Sequence, residues 1–175
     1  MTTTEILTGA TLTGERAVLL ETLQQHRFLF TFTAQGLTDE QAAASPTASA
    51  LSIGGLIKHV TSVEESWVRF IEQGTSAMEP GADAHETHEA NFRMAPGETL
   101  DGLLARYAEV AAYTDKLVET VDLDLAHPLP SAPWFPEGKT WSARRVLVHI
   151  VAETAQHAGH ADIIRETIDG QKTMG

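Results

Sequence analysis

The 175-residue chain contains no cysteine. This absence excludes disulfides, zinc sites built from thiolates and a cysteine nucleophile supplied by the protein itself. Histidine, aspartate and glutamate therefore remain as the side chains that could hold a metal ion. The absence constrains the cellular compartment only weakly, although a small secreted domain more often carries disulfides.

Basic residues and long apolar runs are also scarce. Lys and Arg number 12 against 24 Asp and Glu, which gives a formal net charge of −12. Such a charge would repel phosphates, so nucleic acid is not an expected partner. No run reaches the roughly 18 apolar residues of a membrane span, and the first residues lack the basic and apolar segments of a signal peptide. We therefore expect a soluble cytoplasmic protein with no membrane partner.

The remaining composition, 42% hydrophobic and 21% charged, is typical of one globular domain over residues 1–175. Four stretches repeat apolar residues at steps of three and four, and no strand-like alternation is present. They are 13–35, 52–74, 99–121 and 142–170. The sequence thus predicts an all-α four-helix bundle with long connections, a short helix around 86–91 and a possible hairpin in the proline-rich loop before the fourth helix.

The fourth predicted helix carries an unusual stripe of metal-binding side chains. The stripe consists of His149, Glu153, His157 and His160. Their spacing keeps all four side chains within a narrow arc of one helix. Imidazole and carboxylate are the donors that a borderline divalent ion such as Zn²⁺ prefers, and Ni²⁺ is the alternative. The stripe therefore predicts a metal site.

Helix geometry limits which of these residues share one ion. Side chains at i and i+4 are neighbours, whereas i and i+8 lie about 12 Å apart along the axis. The candidate pairs are His149/Glu153, Glu153/His157 and His157/His160. A third ligand must then come from another helix, either from His59 or from its competitor His26.

Other polar residues receive plainer interpretations. The loop histidines His85, His88 and His127 are expected to be solvated, and Glu64 and Glu65 are expected to cover a solvated face of the second helix. Asp162 and Arg165 stand three residues apart and are expected to pair on the surface of the fourth helix.

Two segments resemble the DinB-like superfamily of small metal-binding four-helix bundles. They are GGLIKHVTSVEESW (54–67) and VLVHIVAETAQHAGHADIIRETIDG (146–170), whose ending is similar to the actinobacterial branch. The resemblance implies metal ligation by His59 and by the pair Glu153 and His157. Glu153 departs from the HxxxH pattern of the superfamily, but the mycothiol-dependent maleylpyruvate isomerases look similar in using a His/Glu/His set. His149 and His160 would then support the ligands from outside the coordination shell.

The resemblance also implies a chemistry. A low-molecular-weight thiol, mycothiol in actinobacteria, would be activated by the metal and transferred to a small electrophile. Trp67, Arg144 and Arg145 are the residues expected to contact the thiol cosubstrate, and a homodimer is implied, with apolar residues of the first and third helices at its interface. Two alternatives stay open: a non-catalytic protein that binds a metal or small ligand, and a hydrolase that uses a metal-bound hydroxide.

Overall fold

The computed structural model describes residues 12–78, 90–132 and 135–173. In chain order these residues form α1 (Gly14–Phe32), α2 (Asp39–Ala43), α3 (Ile53–Gln73), a 3₁₀ turn (Thr75–Met78), α4 (Leu100–Thr120), β1 (Ala126–Pro128), β2 (Thr140–Ser142) and α5 (Ala143–Asp169). The two strands form the antiparallel hairpin expected before the last helix, with His127 opposite Trp141. Four long helices confirm the all-α bundle. Among the described helices, none is long and apolar enough to cross a membrane.

Side-chain caps fix where three of the four long helices begin. The hydroxyls of Ser52, Thr99 and Ser142 each accept a hydrogen bond from the backbone N–H three residues later, which satisfies one of the free donors of a helix N-terminus. At the other end, α5 stops at Gly170, whose φ of 78° is a left-handed conformation that favours glycine. α1 ends at Phe32, slightly earlier than predicted.

The apolar core consists of two clusters at opposite ends of the bundle. The first joins the early residues of α1 and α5 to the late residues of α3 and α4, and the second joins the late residues of α1 and α5 to the early residues of α3 and α4. α1 and α5 therefore run parallel to each other and antiparallel to α3 and α4. Because α3 and α4 are themselves parallel, the end of α3 and the start of α4 lie at opposite ends of the bundle, which explains why the connection between them is long.

A buried polar layer separates the two clusters and corrects one prediction. Glu64 has no exposed surface, although its position in the sequence predicted a solvated face. Its carboxylate accepts hydrogen bonds from Arg27 at 2.5 Å and from the Thr114 hydroxyl at 2.6 Å. Arg27 also donates to Asp115. The prediction was wrong because the partners of Glu64 lie on α1 and α4, far away in the chain.

Three smaller points concern α2, Arg165 and residues 86–91. The helix α2 was not predicted, although Thr38 and Gln41 form a capping box at its start. Arg165 is buried and pairs with Asp169 instead of Asp162, while donating to the carbonyl oxygens of Thr33 and Gln35 at the end of α1. The short helix expected around 86–91 falls mostly outside the described residues.

Candidate metal centre

Three side chains from two helices converge inside the bundle. His59 on α3 and the pair Glu153 and His157 on α5 each offer one ligand atom, and these atoms all lie within 4.8 Å of one another. The two histidines are buried, and the imidazoles of His59 and His157 meet edge to face with centroids 4.8 Å apart. Oε2 of Glu153 lies 3.6 Å from Nε2 of His157. This His–Glu–His group could hold a metal ion.

A residue of the connection before α4 packs on the candidate ligand of α3. Phe92 stacks on the His59 imidazole, with ring centroids 4.0 Å apart and an angle of 23° between the planes. This approach depends on Gly55, since a Cβ at that position would lie 1.9 Å from the carbonyl oxygen of Phe92. Glycine is therefore required where α3 passes the segment that carries Phe92.

The other two histidines of the α5 stripe flank this group. Nε2 of His149 lies 3.4 Å from Oε1 of Glu153, and Nδ1 of His160 lies 3.4 Å from Nδ1 of His157. Contacts of this kind set the orientation and tautomer of ligating side chains.

The charge states of the acidic and flanking residues follow from this packing. Interaction with the His157 imidazole lowers the pKa of Glu153, although partial burial opposes the shift and the nearby His149 and His59 add to it. Burial lowers the pKa of His149, with Glu153 opposing and Arg145 reinforcing that shift. At neutral pH the group therefore presents an ionised carboxylate beside a neutral His149.

A cleft of about 580 Å³ opens beside the ligands. We call it the aromatic cleft; its lining residues are His59, Ser62, Val63, Ser66, Trp67, Met78, Asn91, Phe92, Phe135, Pro136, Trp141, His149 and Glu153. Trp67 and Trp141 are stacked, with centroids 5.0 Å apart, and both contact the His149 ring edge-on. Two of the three candidate ligands, His59 and Glu153, thus face a space large enough for a small organic molecule.

A family model described as Mycothiol-S-transferase matches residues 18–170. The chain belongs to this family. The match confirms the resemblance to the DinB-like superfamily, which includes the family. Among solved structures, the chain is similar to a conserved protein from Enterococcus faecalis with a TM-score of 0.69 and 17% identity, over 91% of this chain and 100% of that one. At this identity the likeness shows the fold alone. No protein of curated function matches the chain significantly.

The remaining predicted residues of this mycothiol S-transferase family member lie in different surroundings. Trp67 lines the cleft, and the guanidinium carbon of Arg145 lies 4.2 Å from the centroid of the Trp141 ring at its rim. Arg144 is bound by the carboxylates of Glu15 and Asp124. Those acidic partners explain how a cation is tolerated in the first turn of α5, where the helix dipole disfavours it.

The competing histidines lie elsewhere. His26 does not belong to the convergent group among the described residues. His127 was expected to be solvated but is half-buried against Phe70, with Nε2 3.1 Å from the carbonyl oxygen of Ile71, because the hairpin packs on the end of α3. His85 and His88 lie outside the described residues.

Sequence reasoning missed several lining residues. Ser62 and Ser66 follow His59 at three and seven residues, so helical spacing alone could have placed them on the ligand face. Phe92 and Phe135 belong to connections without periodicity, and no sequence signal marked them.

Proposed function

We propose that the protein is a metal-dependent thiol S-transferase that joins a mycothiol-type thiol to a small electrophile. The observation that carries the proposal is the convergence of His59, Glu153 and His157, two of which, His59 and Glu153, line the aromatic cleft. Membership of the mycothiol S-transferase family supports the thiol and the reaction type. The adjacent cleft favours catalysis over simple storage of an ion, because a structural site would be closed by protein ligands.

The donor set fits a divalent ion. Two imidazole nitrogens and one carboxylate oxygen, without any thiolate, are typical of catalytic Zn²⁺ sites that keep one position for water or substrate. Zn²⁺ is the proposed metal and Ni²⁺ the alternative. When bound, the ion would supply Lewis acidity that favours the thiolate form of a thiol cosubstrate at neutral pH.

The protein's own residues would bind and orient the two reactants. Trp67 and Trp141 offer aromatic faces beside the ligands, and Ser62 and Asn91 offer neutral hydrogen-bonding groups on the same cleft. Of the two arginines, Arg145 at the rim is the one proposed to donate hydrogen bonds to the cosubstrate. In the overall reaction the sulfur forms a bond to carbon, the leaving group departs with its electron pair, and the thiol proton passes to solvent.

The first test is metal content and turnover of protein purified without a nickel column. We expect about one ion per chain by plasma mass spectrometry, and S-transfer from mycothiol to monobromobimane above the uncatalysed rate. His59→Ala should lose both, because a site with two protein ligands holds an ion poorly. His26→Ala is the matched control and should lose neither.

Two outcomes would contradict the proposal. A metal content that His59→Ala leaves unchanged would show that these residues do not form the site. Turnover of an electrophile that persists when thiol is omitted would favour the hydrolase alternative.

We also propose that the protein acts in the cytoplasm as a homodimer. Val18, Phe28 and Tyr113 are exposed apolar side chains on α1 and α4, and an interface between two copies would remove them from water. Analytical ultracentrifugation should give twice the mass of the 18.9 kDa chain, and Phe28→Glu should reduce it to the mass of one chain.

A further inference from the structure

The aromatic cleft has no lysine or arginine in its lining. All 12 lysines and arginines of the chain belong to the described residues. The segments outside the described residues, 1–11, 79–89, 133–134 and 174–175, contain neither residue type, so they add no lysine or arginine side chain to the cleft.

Two arginines contact a lining residue without themselves lining the cleft. Arg69 donates to the hydroxyl of Ser66 at 3.3 Å and lines a separate groove between α3 and α4, together with Glu65 and Glu72. Arg145 lies over the ring of Trp141, a contact in which the aromatic face attracts the cation.

The polar groups that do line the cleft are either neutral or acidic. Ser62, Ser66 and Asn91 offer hydroxyl and amide groups, and Glu153 is the one carboxylate among the described lining residues. A divalent ion, the Glu153 carboxylate and one thiolate would together sum to zero charge. The described lining residues would then offer no positive charge to a second anion, which would lose its hydration close to Glu153.

We propose that the cleft selects flat electrophiles that carry no negative charge. This inference rests on the proposed S-transfer function and specifies its acceptor. The stacked pair Trp67 and Trp141, with Phe135 edge-on to both, provides aromatic surface for a planar ring. For a chloroarene, the sulfur bonds to the ring carbon, chloride leaves with the bonding electrons, and the thiol proton goes to solvent.

A pair of unreactive ligands tests the charge preference directly. 1,3-Dinitrobenzene and 3,5-dinitrobenzoate have the same flat nitroarene ring and differ by one carboxylate. Binding to the full-length protein, loaded with metal and saturated with the thiol, is followed by saturable quenching of tryptophan fluorescence, because Trp67 and Trp141 line the cleft. We expect the benzoate to bind at least about tenfold more weakly. Equal or tighter binding of the benzoate, or no saturable binding of either ligand, would overturn the inference.

Placing a cation in the cleft provides the complementary test. Ser66→Lys, at a half-buried lining position, should strengthen binding of 3,5-dinitrobenzoate several-fold and leave 1,3-dinitrobenzene unchanged. Ala112→Lys adds the same charge to the exposed face of α4 and should change neither. Benzoate binding to the unmodified protein that weakens in Arg145→Ala would show that Arg145 recruits anions, and this too would overturn the inference.

Turnover separates this inference from the proposed function. Rates with 1-chloro-2,4-dinitrobenzene and 4-chloro-3,5-dinitrobenzoate are each divided by the uncatalysed rate with the same thiol. Enhancement of the neutral acceptor alone supports both proposals. Equal enhancement of both acceptors leaves S-transfer standing and refutes the charge preference. Absence of any enhancement, with the neutral ligand still bound preferentially, refutes S-transfer and supports the charge selection by the cleft.

Discussion

Replacing Glu64 by leucine tests how the polar layer holds the bundle together. The Glu64 side chain has no exposed surface, and the Arg27 side chain is 8% exposed. Removing one partner of a buried pair leaves an uncompensated charge and costs about 3–5 kcal/mol. Asp115 still pairs with Arg27, so we expect a value near the lower limit. With roughly 2–4 °C per kcal/mol for a protein of this size, the melting temperature should fall by about 6–12 °C.

The double variant Arg27→Met/Glu64→Leu decides whether the cost comes from the unpaired charge. Apolar replacement of both partners is often neutral or stabilising, so the double variant should recover most of the lost stability. Of the groups left behind, the Thr114 hydroxyl can turn its proton to the carbonyl oxygen of Val110, and Asp115 is partly exposed. Thermal and urea unfolding, followed by far-ultraviolet circular dichroism, measure both variants.

An exposed pair provides the control. Arg106 and Glu65 lie 3.0 Å apart with side chains 51% and 39% exposed, so Glu65→Leu should change the free energy of unfolding by less than about 1 kcal/mol. The reasoning is refuted if Glu64→Leu is as mild as this control, or if the double variant is as unstable as Glu64→Leu alone.

Two further predictions concern the packing around α3. Gly55→Ala should destabilise the fold and weaken metal binding, because the added Cβ would collide with the Phe92 backbone. A competition assay with a chromophoric chelator measures the binding. Gly159→Ala is the control: its Cβ would meet nothing within 4 Å, so it should be neutral or stabilise the fold by up to ~1 kcal/mol. Glu98→Gln should reduce stability at pH 7. Burial raises the pKa of the Glu98 carboxyl, but its hydrogen bonds and the charge of Lys58 outweigh burial and lower that pKa in the folded state. The wild-type advantage should therefore be present above the unfolded pKa of 4.5 and vanish in urea titrations as pH falls through the lower folded value.

The features that sequence predicted well are those encoded within single helices. Apolar residues at steps of three and four located the long helices, and caps such as Ser142 and Gly170 located their ends. The pair Glu153 and His157 lies one turn apart on one helix, so its proximity could be anticipated from spacing. His59 was an open choice against His26 until family resemblance favoured it.

The features that sequence missed depend on contacts between distant segments. Glu64 looks like an ordinary surface acid until α1 brings Arg27 to it across 37 residues of chain. Arg165 reaches back to Thr33 and Gln35 in the same way. Phe92 belongs to a connection whose path depends on how α3 and α4 pack, and no local pattern specifies that path.

The stack of Phe92 on His59 has a consequence for the strength of ion capture. A freely turning imidazole would lose side-chain entropy on binding, at a cost on the order of 1 kcal/mol. Here the ring is already confined when the chain folds. The side-chain entropy is therefore lost during folding and not on ion binding, so the imidazole is preorganised. The affinity of this centre is therefore expected to depend on a phenyl ring that donates nothing to the ion, and changes in that connection could retune the centre without touching a ligand.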